Sequence, residues 1–283
     1  MTISLRPVTD LLGVLELETV KPDAFMGAGP ELGWGRLYGG LVVAQALRAA
    51  TLTLDGTGPG GRDPDIDAVG VSPHRAHSLH AYFVRAGDER APVLYEVERV
   101  RDGRSFCTRQ VVAYQAGGAI LNLIASFQID EDGEDVQGIT PPPPPPSIEA
   151  LPRHDTDLFF EHRIERSSRA PEPRAISWMR ATEPLPDDPN VHACALAYLS
   201  DEDPLGVAIL PHSMGEQWES LMTASLDHAV WFHRPVRVDR WLQFELRGHG
   251  VANGRGLAIA RVFTADGSHV ATVAQEGLVR PRR

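Results

Sequence analysis

The sequence predicts an α+β fold made of two like halves, each an apolar helix wrapped by an antiparallel sheet. Three observations predict it. Leu41–Thr51 and Val191–Ser200 both have the composition of helices that are apolar over most of their surface. Each is followed by a series of strand-like runs separated by short turn words. Matching words then recur in the two halves in the same order.

The bulk properties allow this and exclude other classes. A chain of 283 residues with 42% hydrophobic content can build one large domain or two ordinary ones. The formal charge of -11 and the lack of a dense Lys/Arg cluster argue against nucleic acid as a partner. Only two cysteines occur, Cys107 and Cys194, so no disulfide framework is implied and a reducing compartment suits the composition. Met1–Pro7 lacks a signal core, no run approaches the roughly 20 apolar residues of a membrane span, and Arg280–Arg283 is no peroxisomal address. The cytoplasm is the expected compartment.

Taken in order, residues 8–20 read as a short amphipathic helix through Leu11, Leu12, Leu15 and Val20. Gly39 and Gly40 open the first apolar helix, where they permit close packing or a site for a phosphate or thioester oxygen. A Gly- and Asp-rich loop is expected over roughly 55–70. Strand patterns follow at 80–84, 93–100, 106–114 and 119–127, with turns at Arg85–Asp88, Arg101–Arg104 and Gln115–Gly118 that favour an antiparallel meander. The acidic run Asp130–Asp135 and the prolines Pro141–Pro146 then mark an extended linker. This divides the chain into an N-terminal repeat over 1–130, a linker over 131–155 and a C-terminal repeat over 156–283. In the second repeat Asp201–Pro204 ends the helix, and strands are expected at 225–233, 241–247, 256–263 and 270–279.

The repeat is visible in words. Ser78-Leu-His-Ala-Tyr-Phe-Val-Arg85 matches Ser225-Leu-Asp-His-Ala-Val-Trp-Phe-His-Arg234, and Asp102-Gly-Arg104 matches Asn253-Gly-Arg255. Ser78 lies 50 residues before Gln128, and Ser225 lies 50 before Gln275. A long apolar helix wrapped by an antiparallel sheet is the hot-dog arrangement, and two copies make a double hot-dog. Pairing the two sheets into one continuous sheet would remove an exposed edge from each.

Thr223–Pro235 concentrates polar groups in an apolar strand. Strict alternation puts Leu226, His228, Val230 and Phe232 on one face and Ser225, Asp227, Ala229, Trp231 and His233 on the other. Asp227 and His228, being adjacent, then cannot easily pair, and both read as buried structural hydrogen-bonding groups. Cys107 and Cys194 fall in strand and helix interiors and read as inert fillers. The histidines show no metal-ligand spacing, and no Gly-x-Ser-x-Gly elbow occurs.

The words Arg36–Leu47, His77–Asp88, Arg99–Phe106, Ser225–Pro235 and Gln275–Gly277 together resemble the acyl-CoA thioesterase II family of double hot-dog hydrolases. The resemblance covers both halves. It implies hydrolysis of acyl-CoA to free acid and CoA with no metal or organic cofactor. It also implies a catalytic set of Asp201 after the second helix, Ser225 on the next strand and Gln275 on the last. Such a set suits thioester hydrolysis, which needs a placed water, a proton acceptor and hydrogen-bond donors. An anion at a helix C-terminus, as Asp201 is, is unfavourable for the helix dipole and invites a functional reading. The first repeat has Ser78 and Gln128 but no acid at the end of its helix, so one working site per chain is expected, with the first half supplying part of the pocket. The resemblance further implies a homo-oligomer, a dimer or larger.

Two other classes remain open on the sequence. Asp187-Asp-Pro-Asn-Val-His192 is similar to the Asp-x-Asn-Pro-x-His word of hot-dog enoyl-CoA hydratases with Asn and Pro exchanged, or it is a proline-bearing turn into the helix. A non-catalytic acyl-CoA binding protein would keep the fold without using the trio.

Overall fold

Half-buried strands need a cover for their apolar face, and this chain arranges its strands and helices in two compact units. The computed structural model describes residues 8–54, 57–58, 61–62, 72–154, 159–168, 173–210 and 220–282. One unit comprises Met1–Asp135 with Asp187–Tyr198, the other Val136–Pro186 with Leu199–Arg283. Most of the loop expected over 55–70 lies outside the described residues, as do Met1–Pro7.

The first unit contains α1 (Leu11–Leu15), β1 (Glu18–Lys21), β2 (Ala24–Gly27), α2 (Gly39–Thr51), β3 (Thr57–Gly58), β4 (Gly61–Arg62), β5 (Arg75–Phe83), β6 (Val93–Asp102), β7 (Phe106–Gln115) and β8 (Gly118–Gln128). Its antiparallel sheet runs β1-β2-β6-β7-β8-β5. Alternation explains the core: along β8, Leu121, Leu123, Ala125 and Phe127 are fully buried while Asn122 and Ile124 face out. The helix α2 packs on β5 to β8. Its buried Gln45 donates to the Val14 and Ala28 carbonyls, each at 2.7 Å, and accepts from the Tyr95 hydroxyl at 2.8 Å. That satisfied set fixes the helix against the segment before it.

The helix expected over 8–20 is only the five residues of α1. Asp10 caps it by accepting the Gly13 amide at 2.7 Å. Gly13 weakens continuation, and the β-branched Thr19 and Val20 enter the exposed strand β1 instead.

In the second part of the chain lie β9 (Arg153–His154), β10 (Phe160–Ser168), β11 (Arg174–Ala181), α3 (Pro189–Leu199), α4 (Pro204–Ala208), β12 (Leu221–Ser225), β13 (Asp227–Phe232), β14 (Leu242–Ala252), β15 (Arg255–Thr264) and β16 (His269–Pro281). Strand order in the second unit is β13-β16-β15-β14-β11-β10-β9, with β12 also paired to β16. Through Tyr198, α3 groups with the first unit, whereas α4 packs on β14, β15 and β16. The short α4 was not expected after Asp201–Pro204. Proline is tolerated in a first helical turn, so Pro204 starts a helix here rather than only ending one.

The proline-rich segment belongs to the second unit. Gln137 accepts the His269 amide at 2.7 Å and donates to the Gly267 carbonyl at 3.0 Å. Among the described residues no helix is long and apolar enough to cross a membrane, which says nothing of strand-built barrels.

Candidate active site

The strand expected at 225–233 is two strands, and the break between them builds the site. In the β12 pairing Ser225 lies opposite Gly277, while in the β13 pairing Ala229 lies opposite Ala274. One extra residue is accommodated between them, a β-bulge. The Leu226 amide donates to the Glu276 carbonyl at 2.9 Å, and the Glu276 amide donates to the Asp227 carboxylate at 2.7 Å. Asp227 thus replaces the backbone acceptor that the bulge removes.

This corrects the alternation expected from the sequence. Ser225 and His228 were placed on opposite faces, but the inserted residue turns both inward toward Gln275. Gln275 itself is on the core side of β16, in register with buried Val273 and Val279, and is 2% exposed. The chain therefore buries an amide where packing would accept an aliphatic side chain.

Asp201 follows α3, is buried, and meets Gln275 and Ser225. Gln275 Nε2 donates to Asp201 Oδ1 at 2.7 Å and to Ser225 Oγ at 2.8 Å. The Ser225 hydroxyl in turn donates to Asp201 Oδ1 at 3.3 Å. The three residues named from the sequence lie within one unit and touch one another. Behind them stand two that sequence reasoning did not place in the site: His228 Nδ1 lies 2.8 Å from Gln275 Oε1, and Ser200 Oγ lies 2.8 Å from His228 Nε2. Both are buried, and burial holds the imidazole pKa down to about 4, so the ring is neutral near pH 7. The signal for His228 was a polar residue on an inward face, hidden by the bulge; Ser200, just after α3, carried none.

Among the described residues of the first unit this arrangement does not recur. Val84 and Arg85 both donate to the Ile120 carbonyl, as His233 and Arg234 do to that of Val270, which marks equivalent ends of the paired strands. Phe83 is then opposite Leu121 and Phe232 opposite Ala271. Four residues further along the partner strand stand Ala125 in one unit and Gln275 in the other. The matched spacing of Ser78 and Gln128 is therefore not a structural equivalence: Ser78 faces Ser126, and Gln128 faces Arg75 and donates to Glu131 at 3.2 Å.

Other candidates have structural occupations. In the Asp187–His192 word, Asp188 accepts the Asn190 amide at 2.8 Å and the His192 amide at its carbonyl at 3.1 Å, opening α3. Asn190 bridges to β5, accepting from the Ala76 amide and donating to the His74 carbonyl, each at 3.0 Å. This is the proline-bearing helix entry, with the Asp188 and Asn190 side chains engaged in capping and tethering. Gly40 serves close packing, since a Cβ there would stand 2.2 Å from the Tyr198 carbonyl oxygen. Burial pushes the Cys194 thiol up to about 12 and raises that of Cys107 as well, so neither is poised as a thiolate. Among the described residues, His154, His162 and Glu202 bring ligand-type atoms within 4.8 Å of one another. His162 Nε2 also lies 3.3 Å from Asp203 Oδ2, which the Ser177 hydroxyl reaches at 2.8 Å. Asp203 thus stands beside this group as an ionic partner of His162.

Comparison with known proteins bears on this geometry. The acyl-CoA thioesterase N-terminal domain family matches residues 30–128, and the acyl-CoA thioesterase C-terminal domain family matches residues 131–279. Acyl-CoA thioesterase 2 of Haemophilus influenzae is 31% identical over 296 residues, covering 96% of this chain and 98% of its own. A crystal structure of an acyl-CoA thioesterase II, TesB2, from Mycobacterium marinum superposes with a TM-score of 0.79 at 36% identity, covering 96% of this chain and 97% of that one. A hot-dog protein of unknown function from Alicyclobacillus acidocaldarius, 21% identical, has a TM-score of 0.73 over 95% of this chain and 97% of its own, and shows the fold alone. The chain belongs to the acyl-CoA thioesterase II family.

Proposed function

We propose that this chain hydrolyses acyl-CoA thioesters to a free fatty acid and CoA, by water activated at Asp201 and held with Ser225 and Gln275. The observation that carries the reading is the convergence of a carboxylate, a hydroxyl and an amide, with Gln275 Nε2 2.7 Å from Asp201 and 2.8 Å from Ser225, on a chain of this family. A buried amide with both hydrogens engaged is rigid, and rigidity is what placing a water requires.

In the proposed reaction the water oxygen forms the new bond to the thioester carbonyl carbon while Asp201 takes its proton. The carbonyl electron pair moves to oxygen and returns as the C–S bond breaks. The proton held by Asp201 then passes to the CoA sulfur, leaving a carboxylic acid and a thiol. No electron acceptor enters this balance. In this reading Ser225, whose hydroxyl lies between Gln275 and Asp201, helps to hold the water.

The double hot-dog reading of the whole chain is supported by the separate matches of the two halves to thioesterase domains. A cytoplasmic setting is supported by two buried free thiols. A homo-oligomer is in keeping with the exposed apolar Tyr82 and Ile124, at 65% and 49%. The catalytic reading is tested by thiol release from a panel of acyl-CoAs. The expected result is release by the unaltered protein and its collapse in Asp201→Ala and Gln275→Ala with the fold intact. Saturable acyl-CoA binding with no release would replace hydrolysis by a binding role, and enoyl-CoA hydration lost on His192→Ala would replace it by the hydratase reaction.

A further inference from the structure

Gln275 can serve the proposed reaction in only one of its two amide orientations. With Nε2 toward Asp201 and Ser225, one hydrogen goes to each, at 2.7 and 2.8 Å. Rotated by half a turn, the carbonyl oxygen would face the Asp201 carboxylate, acceptor against acceptor, and Asp201 and Ser225 would both lose the donor that holds them. The two orientations are sterically alike, so something must choose between them. Asp201 supplies part of the choice from the front.

The rest comes from behind. Gln275 Oε1 faces His228 Nδ1 at 2.8 Å, and His228 Nε2 faces Ser200 Oγ at 2.8 Å. His228 is fully buried, Gln275 is 2% exposed and Ser200 is 3% exposed, so water does not compete. An amide oxygen only accepts, so Nδ1 must carry the hydrogen. In the neutral ring Nε2 then accepts, and Ser200 is the hydroxyl that can donate to it.

We propose that His228, held by Ser200 as its Nδ1–H tautomer, is a positioning residue that locks the Gln275 amide in its working orientation. The role rests on the reading of Asp201, Ser225 and Gln275 as the hydrolytic set. It differs from a generic core role in a specific way. The ring need supply only one N–H at the Nδ1 position, and the amide nitrogen of asparagine, attached to the same Cγ, stands near that point. Leucine fills the space but offers no donor.

The experiment compares His228→Leu, His228→Asn and Ser200→Ala with the unaltered protein for acyl-CoA hydrolysis, together with the imidazole ¹⁵N shifts of His228 in histidine-labelled protein. For His228→Leu we expect a kcat loss on the order of 100-fold with KM changed less than about 2-fold, the size that misplacement of a catalytic group produces. His228→Asn should recover to within about 10-fold of the unaltered kcat, and Ser200→Ala should lie between them. The ¹⁵N shifts should report a protonated Nδ1, with the Nε2–H form appearing in Ser200→Ala. Equal losses in His228→Asn and His228→Leu, or a His228→Leu kcat equal to that of the unaltered protein, would overturn the proposal. So would an Nε2–H tautomer in the unaltered protein, which decides the matter even if His228→Leu does not fold. Full activity of Asp201→Ala would instead bring down the hydrolytic reading beneath it.

Discussion

Replacing Gln275 with glutamate keeps its shape and reverses its meaning. The amide nitrogen 2.7 Å from Asp201 Oδ1 becomes a second carboxylate oxygen in a site where Gln275 is 2% exposed. Two unit charges at that distance repel by about 6 kcal/mol at an effective dielectric of about 20. Protonating one carboxyl at pH 7 takes less, about 3.7 kcal/mol from an ordinary glutamate value near 4.3. The pair therefore keeps one proton at neutral pH. The folded-state pKa is raised above the unfolded one, so this stabilisation is fully present below about pH 4.3 and is lost as pH rises toward the folded value. Between pH 5 and pH 7 the destabilisation of Gln275→Glu relative to the unaltered protein should grow by about 2.7 kcal/mol, or roughly 5–10 °C in Tm. Thermal unfolding of both proteins across this range measures it. A Tm difference independent of pH would refute the packing of Gln275 against Asp201.

Other perturbations follow from the same geometry. Burial depresses His228 from 6.5 to about 4, so its neutral form supports the fold above pH 6.5 and that support is lost as pH falls toward 4, by on the order of 3 kcal/mol. His228→Asn should flatten the acid limb of a Tm-versus-pH curve to that extent. Asp227→Ala removes the acceptor of the Glu276 amide and should lower stability by about 1–3 kcal/mol, while Asp227→Asn, which keeps a carbonyl oxygen there, should retain most of it; denaturant unfolding distinguishes the two. Gly40→Ala places a methyl against the Tyr198 carbonyl oxygen, a backbone atom without a rotamer to yield, and should reduce stability by about 1–3 kcal/mol in the same assay.

Much of this molecule can be read from its residues, and the failures share a cause. Two apolar helices and long alternating runs announce the strands, because burial on one face repeats every second residue, as in Leu121, Leu123, Ala125 and Phe127. Asp201, Ser225 and Gln275 were named from matching words, and the structure brings them into contact. Period-two reasoning assumes an uninterrupted strand. The bulge at Leu226 breaks it, so His228 was assigned to the wrong face and its bond to Gln275 was not foreseen. The equal spacings of 50 residues misled for a related reason: inserted residues shift one repeat against the other, and Ala125 occupies the place that word-matching gave to Gln128. Insertions change register without changing composition, which is why pattern alone does not reveal them.

The most direct test of the account is Asp201→Asn, which preserves size while removing the proton acceptor. Steady-state acyl-CoA hydrolysis should lose at least about 100-fold in kcat, with thermal unfolding within a few degrees of the unaltered protein. A variant that releases CoA thiol as fast as the unaltered protein would contradict the assignment of Asp201 as the base.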